Sequence, residues 1–262
     1  MGFTFNNVHS KDMGIGYSIQ SIPYLPPKRQ TEVTIQGRDG AYIFEDGFNN
    51  IKIDLSCAII GYEISERRKR AREIASWLCS TGILVFDHEP DIEYKVIQVI
   101  NDINSTILAR EYRDTFNITF VCEPYQQQTY YSNSLTWETM NSAWDYADLP
   151  WRGYERIFTI NGPQTIRITN TGTYKALPII ILNGTATNIK IHTMEYKNLS
   201  GKIYIDCKNM VVYSIGEGNI KINKMQNFSG AFLEILPGEN LFSVSGTNLN
   251  LTLEFDYRNT YL

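Results

Sequence analysis

Histidine is scarce and cysteine is scattered, with three and four residues respectively in a chain of 262. Cys57, Cys79, Cys122 and Cys207 never form the close pairs that a zinc site or a redox couple needs. They read as free thiols in a reducing compartment, three of them in apolar surroundings. No run approaches the roughly 20 apolar residues of a membrane-spanning helix. The start, Met1-Gly-Phe-Thr-Phe, has no basic region ahead of an apolar core, so no signal peptide is expected. Myristoylation is discounted because Asn6 stands where Ser or Thr is required.

The usual anchors of catalysis are missing as well. Gly14-Ile-Gly16 and Gly216-Glu-Gly218 lack the third glycine and the following helix of a nucleotide fingerprint. Ser132-Asn-Ser134 and Ser243-Val-Ser245 do not form nucleophile elbows. Of the histidines, His9 falls in a loop-like start and His192 in an alternating strand. His88 sits in Asp87-His-Glu-Pro-Asp91, the best concentration of carboxylate beside imidazole, but adjacent side chains on one turn rarely converge on an ion. Asp54, Glu63, Asp206 and Glu234 could supply a glycosidase pair only if two of them met at the required separation, and nothing in the pattern nominates a pair. The expectation is a protein with no catalytic residue, no cofactor and no metal ligand.

Charge narrows the partners. The net charge is −4; residues 1–128 carry 13 Lys and Arg against 17 Asp and Glu, and residues 129–262 carry 11 of each. Neither half has the positive balance that gripping a phosphate backbone demands.

What is present is mostly β-pattern. Thr31–Ile35 alternates, enters a turn at Gly37-Arg-Asp-Gly40, and returns as Ala41–Phe44. Ile51–Ile59 alternates with Ile51, Ile53, Leu55 and Cys57 on one face. The period then changes: Ala71, Ile74, Ala75 and Leu78 mark one face of a helix over 65–80, with Ser65 as N-cap and Gly82 beyond its end. Strands resume at Ile83–Phe86, Tyr94–Ile103 and Phe116–Cys122. Residues 124–152 hold Trp137, Trp144 and Trp151 without alternation and read as a connector, the tryptophans packing on a domain face or serving as aromatic contacts. Beyond 153 come short strands at 154–160, 165–170, 179–182, 187–193, 202–207, 211–214, 231–235, 240–245 and 249–257, separated by turn signals that include Asn183-Gly184 and Gly201. This predicts a sandwich or barrel. The domains expected are 1–128, a connector at 129–152, and 153–262, all mainly β with the one helix.

The strongest local charge feature is Arg67-Arg-Lys-Arg70 with Arg72, which covers more than half of that helix. With an acidic domain around it, a contact between subunits or with a partner protein is the favoured reading, the basic residues being taken to lie outside the buried stripe.

These segments carry a family resemblance. The hairpin at Gly37–Gly40, strand 51–60, the short helix leading into Gly82-Ile-Leu-Val-Phe86, and Phe116-Asn-Ile-Thr-Phe-Val-Cys-Glu-Pro124 resemble the N-terminal part of the distal tail proteins, often called Dit, of siphophages and related prophages. Asn170-Thr-Gly172 with Ala176-Leu-Pro178, Ile205-Asp206 before Val212-Tyr213, and Phe232-Leu-Glu-Ile-Leu-Pro-Gly-Glu-Asn240 resemble the C-terminal part. The order is kept over nearly the whole length. The resemblance implies a homo-hexameric ring at the virion tail tip, made in the host bacterial cytoplasm. That ring joins the major tail tube protein to a hub or lysin-like protein and to receptor-binding or other baseplate proteins. It also implies a galectin-like C-terminal sandwich, no reaction, no membrane contact, and DNA that passes without specific binding. Two other readings stay open: a carbohydrate-binding module using the aromatic surplus, and a polysaccharide-active hydrolase.

Overall fold

A computed structural model describes residues 2–23, 25–60, 63–106, 113–129 and 156–262. The chain forms two compact units, Met1–Thr129 with Tyr261–Leu262, and Tyr130–Thr260. Each has its own apolar core.

The first unit contains β1 (Phe3–Phe5), β2 (Val8–His9), β3 (Ile15–Ser21), β4 (Lys28–Thr34), β5 (Ala41–Phe48), β6 (Ile51–Ile60), α1 (Ile64–Leu78), β7 (Gly82–Phe86), β8 (Glu89–Thr106) and β9 (Arg113–Gln128). An antiparallel sheet runs β2-β1-β7-β8-β9-β6-β3, while among the described residues β4 and β5 pair only with each other. Ile51, Ile53, Leu55 and Cys57 do share the buried face of β6. The start is not a loop. Phe3 and Phe5 are fully buried, and the Phe3 ring lies 5.3–5.9 Å from those of Tyr17, Trp77 and Phe120. Three residues are too few for alternation to register, so a short core strand passes for an irregular start. Strand β9 likewise continues through Pro124–Gln128, which had read as connector, because Tyr94 and Glu93 of β8 pair with Gln126 and Gln127. Polar glutamines hide a strand whose ladder is made by the backbone alone.

A second clasp holds the chain start. His9 Nδ1 accepts the Lys11 backbone N–H at 3.1 Å, so Nε2 carries the proton and donates to the Asp87 carboxylate at 3.0 Å. Asp87 N–H in turn donates to the Gly2 carbonyl. Partial burial pushes the Asp87 carboxyl up. The bond from His9, a backbone bond from Gly2 and the nearby charge of Lys11 outweigh it and hold the pKa below the ordinary carboxylate value.

The second unit contains β10 (Ile157–Ile160), β11 (Gln164–Asn170), β12 (Ile179–Ile191), β13 (Met194–Asp206), β14 (Val211–Ile215), β15 (Lys221–Asn223), β16 (Phe228–Gly230), β17 (Gly238–Thr247) and β18 (Asn250–Asp256); β19 (Thr260–Tyr261) closes the chain and pairs with β9. The fold is sandwich-like. One layer runs β10-β18-β12-β13-β14-β15, and the other takes β11 and β17 on the far end of β12, with β16 on the far end of β13. Strands β12 and β13 therefore serve both layers. Asn183-Gly184 and Gly201 are not turns, as expected from sequence, but mid-strand positions. A Cβ on Gly184 would strike the Asn250 carbonyl and Leu251, so glycine is required there by the close approach of β18. Residues 231–235 form no strand, only a single bridge from Ile235 to Ala176. His192 is in the tight turn between β12 and β13 at φ +51°, not in a strand.

The Asn170-Thr-Gly172 segment is a buried polar knot. Asn170, 1% exposed, donates to the carbonyls of Tyr174 (2.9 Å) and Ile235 (3.0 Å) and accepts from Gly172 N–H (2.9 Å). Asn259 accepts from Thr171 N–H and donates to its hydroxyl, and Tyr174 N–H reaches the Thr260 carbonyl. A side chain at 172 would collide with Thr260 backbone.

Asn170→Ala strands two buried carbonyls and one buried N–H, so urea unfolding should show a loss of about 2–4 kcal/mol in the second unit. Asp87→Asn should lower the melting temperature at neutral pH. A depressed folded pKa means its contribution is complete above the ordinary value and is lost as pH falls through the folded one. The gap between wild type and variant should thus close only below about pH 4.

Candidate assembly surfaces

Helix α1 starts at Ile64, with Glu63 as its N-terminal flank, and Cys79 follows its last residue. Ser65 is not the cap. It lies inside the first turn, and its hydroxyl donates to Glu63 at 3.3 Å. Trp77 ties the helix to the sheet: its Nε1–H donates to the Phe5 carbonyl at 3.0 Å, and its ring stacks on Phe3 at 5.8 Å. With Trp77 so placed, Ile74 and Leu78 point into the core and Ala71 packs against it.

The same rotation divides the basic residues. Arg67 lies four residues before Ala71 and seven before Ile74, on the buried stripe, and is 2% exposed. The expectation that all of the basic cluster lies outside that stripe is overturned at this residue. A helix with so few apolar positions has to seat something else on its inner face, and the aliphatic stem of an arginine can pack there. Arg70 is half-buried. It pairs with Glu66 at 2.8 Å and lies over Gly14, where an added Cβ would stand 2.5 Å from Arg70 Nη1. Arg68, Lys69 and Arg72 are exposed, and Arg72 Nε donates to the Arg68 carbonyl at 3.3 Å. The solvent-facing cluster therefore comprises Arg68, Lys69 and Arg72. Trp137, Trp144 and Trp151 lie outside the described residues.

A larger surface went unnoticed in sequence. Strands β4 and β5 form a ribbon whose register sets Val33 opposite Tyr42 and Thr31 opposite Phe44. These four side chains share one face, and Ile35 extends it. Val33 (43% exposed), Ile35 (51%), Tyr42 (44%) and Phe44 (59%) have no core beneath them among the described residues. The other face is polar apart from Ile43, with Glu32, Gln30 and Glu45. The hairpin expected at Gly37–Gly40 is present, but the two strands are separated by residues 35–40, and positive φ falls on Gly37 (+85°) and Gly40 (+83°) rather than on Asp39. Lys28–Glu45 and Arg29–Asp46 pairs brace the ribbon at its base. Alternation alone cannot tell a face that meets its own core from one that meets another molecule. The only local hint was Pro26-Pro27, which marks the exit from the sheet.

The carboxylates considered for hydrolysis are dispersed into local roles. Asp54 accepts from Thr119, Asp206 accepts from Asn209 backbone and side chain, and Glu234 pairs with Lys175. Among the described residues no group of three or more His, Cys, Asp and Glu could hold a metal ion, and no helix is long and apolar enough to cross a membrane. Burial pushes the Cys57, Cys122 and Cys207 thiols up to about 12, which removes them as nucleophiles.

Residues 11–122 match the phage tail protein RIFT-related domain. That part of the chain is therefore similar to a phage tail protein domain. The match spans β3 to β9, hence both the ribbon and α1, and agrees with the resemblance read from the sequence. No curated protein sequence matches the chain. Among solved structures, the Dit protein of phage SPP1, described as a paradigm of the hub adsorption apparatus of phages infecting Gram-positive bacteria, shares the fold at a TM-score of 0.63. Its identity is 11%, with 100% of this chain and 99% of that one covered. Two structures of the phage p2 baseplate in its activated conformation are more distant. The strontium form has a TM-score of 0.44 at 10% identity, covering 98% and 97% of the two chains. The calcium form has 0.41 at 11%, covering 94% and 90%.

Since Arg67 is on the inner face of α1, Arg67→Glu should destabilise the first unit by about 3–5 kcal/mol, read by urea unfolding. The triple variant Arg68→Glu, Lys69→Glu, Arg72→Glu should keep the wild-type midpoint within about 0.5 kcal/mol.

Proposed function

We propose that this protein is the hub of a phage tail tip, a homo-hexameric ring that joins the tail tube to adsorption proteins and encloses the DNA channel. The observation that carries the reading is the β4–β5 ribbon. A two-stranded ribbon is marginal in water on its own, and this one presents Val33, Ile35, Tyr42 and Phe44 to solvent on a single face. The occupant we assign to it is the neighbouring copy in the ring. A projecting arm that seats on a different surface of the next subunit makes a head-to-tail contact, and such contacts close into a ring where the rotation between subunits closes. The matched phage tail domain and the shared fold support the role; the sixfold number comes from the resemblance to distal tail proteins.

In this reading residues 1–128 form the ring, residues 129–152 connect, and residues 153–262 form a galectin-like sandwich that holds receptor-binding or other baseplate proteins. Arg68, Lys69 and Arg72 face an acidic surface of a neighbouring subunit or tail partner. The protein performs no reaction. With 13 basic against 17 acidic residues in the ring-forming part, DNA is conducted rather than gripped.

The test is mass in solution, by native mass spectrometry, with the tail tube protein and the lysin-like tail protein co-expressed. Wild type should assemble at a multiple of the protomer mass. The double variant Tyr42→Ser, Phe44→Ser should remain monomeric with an unchanged melting temperature, since neither side chain reaches the core. A wild type that stays monomeric with its partners present, or a double variant that assembles normally, overturns the reading.

A further inference from the structure

The second unit ends one of its layers on an open strand. Strand β15 pairs with β14 through Tyr213–Asn223, Ser214–Ile222 and Ile215–Lys221, and among the described residues nothing pairs with its other edge. The ladder reveals which backbone groups are unused. Gly216 N–H donates to the Ile220 carbonyl at 2.9 Å, and Lys224 N–H donates to the Val212 carbonyl at 2.8 Å. Hydrogen-bonded positions alternate along an antiparallel pair. Residues 220, 222 and 224 thus face β14, and the N–H and C=O of Lys221 and Asn223 are directed at the open edge.

The surroundings of that edge are apolar and positively charged. Val211 (44% exposed) and Ile215 (44%) stand on the outer face beside Tyr213, and Ile220 (66%) and Ile222 (47%) stand out at the rim. Lys221 Nζ lies 4.3 Å from the Tyr213 ring centroid and Lys202 Nζ lies 5.2 Å from that of Tyr204, while the two tyrosines stack on each other at 5.2 Å. Between residues 211 and 228 the charges are Lys221 and Lys224 against Glu217. The lysines already cover the free faces of the stacked tyrosine pair, so those rings offer no platform to a sugar.

We propose that the β15 edge is a docking site for an extended segment of a different protein, one that adds as a strand and alternates apolar with acidic residues. Strand addition supplies the partners that Lys221 and Asn223 backbone lack, and side chains of alternate residues meet the rim. Charge decides the occupant. Pairing of this edge with the same edge of a second copy would bring Lys221 and Lys224 against their own equivalents, and lysine on an edge is a usual protection against such self-pairing. An acidic strand reverses the sign of that interaction. The surface is separate from the β4–β5 ribbon and does not depend on ring formation.

The probe is a short synthetic peptide alternating valine and glutamate, added to the full-length protein. Binding is followed by fluorescence anisotropy, and backbone amides by hydrogen exchange. The peptide should protect the amides of Lys221 and Asn223 while leaving Ile222, already bonded to β14, unchanged. The double variant Lys221→Glu, Lys224→Glu, with an unaltered melting temperature, should weaken binding at least tenfold and favour a valine–lysine peptide instead. Equal binding of the two peptides by wild type, protection located elsewhere, or no binding at all overturns the proposal. So does concentration-dependent self-association that disappears in the double variant, which would make a second copy the occupant.

Discussion

The packing of Phe3 and Phe5 against Trp77 is the constraint on which the surface of the first unit depends. It seats β1 beside β7 and, through the bond from Trp77 to the Phe5 carbonyl, fixes the rotation of α1 about its axis. Once that rotation is set, Arg67 has to go inward with Ile74 and Leu78, and Arg68, Lys69 and Arg72 have to go outward. The basic helix is thus a product of aromatic packing as much as of charge. The β4–β5 ribbon takes no part in this core, which leaves its apolar face available to another molecule.

The second unit is organised by a different economy of space. Its two layers share β12 and β13, a continuous hairpin from Ile179 to Asp206. Such strands have to pass another backbone closely, and Gly184 is where this occurs. The chain then needs a polar anchor where the ends of β11 and β18 meet, because backbone groups buried there cannot reach water. Asn170, Asn259 and Gly172 form that anchor, with each donor and acceptor answered by a named neighbour. The Asn170–Gly172 segment, one of those that carry the family resemblance, is thus accounted for by these backbone contacts.

Both proposed assembly surfaces share one physical character: secondary structure carried beyond the core that would normally cover it. The ribbon exposes an apolar face, and β15 exposes unused backbone groups with an apolar rim. Each is a liability in a solitary protein and each is ordinary in a subunit. The carboxylates considered for hydrolysis, by contrast, are held in local bonds, and Cys57, Cys122 and Cys207 are buried.

Local chemistry in the sequence settled the β character, the helix near 65–80, the buried face of β6 and the acidic balance of the N-terminal half. These follow from periodicity and charge, which neighbouring residues carry between them. Asn183-Gly184 looked like a turn because Asn-Gly usually is one; only the approach of Asn250 and Leu251 from far along the chain makes that glycine a strand position. Arg67 looked solvent-facing because its neighbours are basic, and its place inside is decided by Phe3 and Phe5, more than sixty residues away. Val33, Tyr42 and Phe44 alternate as core residues do, and whether a core lies beneath them is a property of the sheet they do not join. The direction of a side chain is local, but what it meets depends on the path of the whole chain.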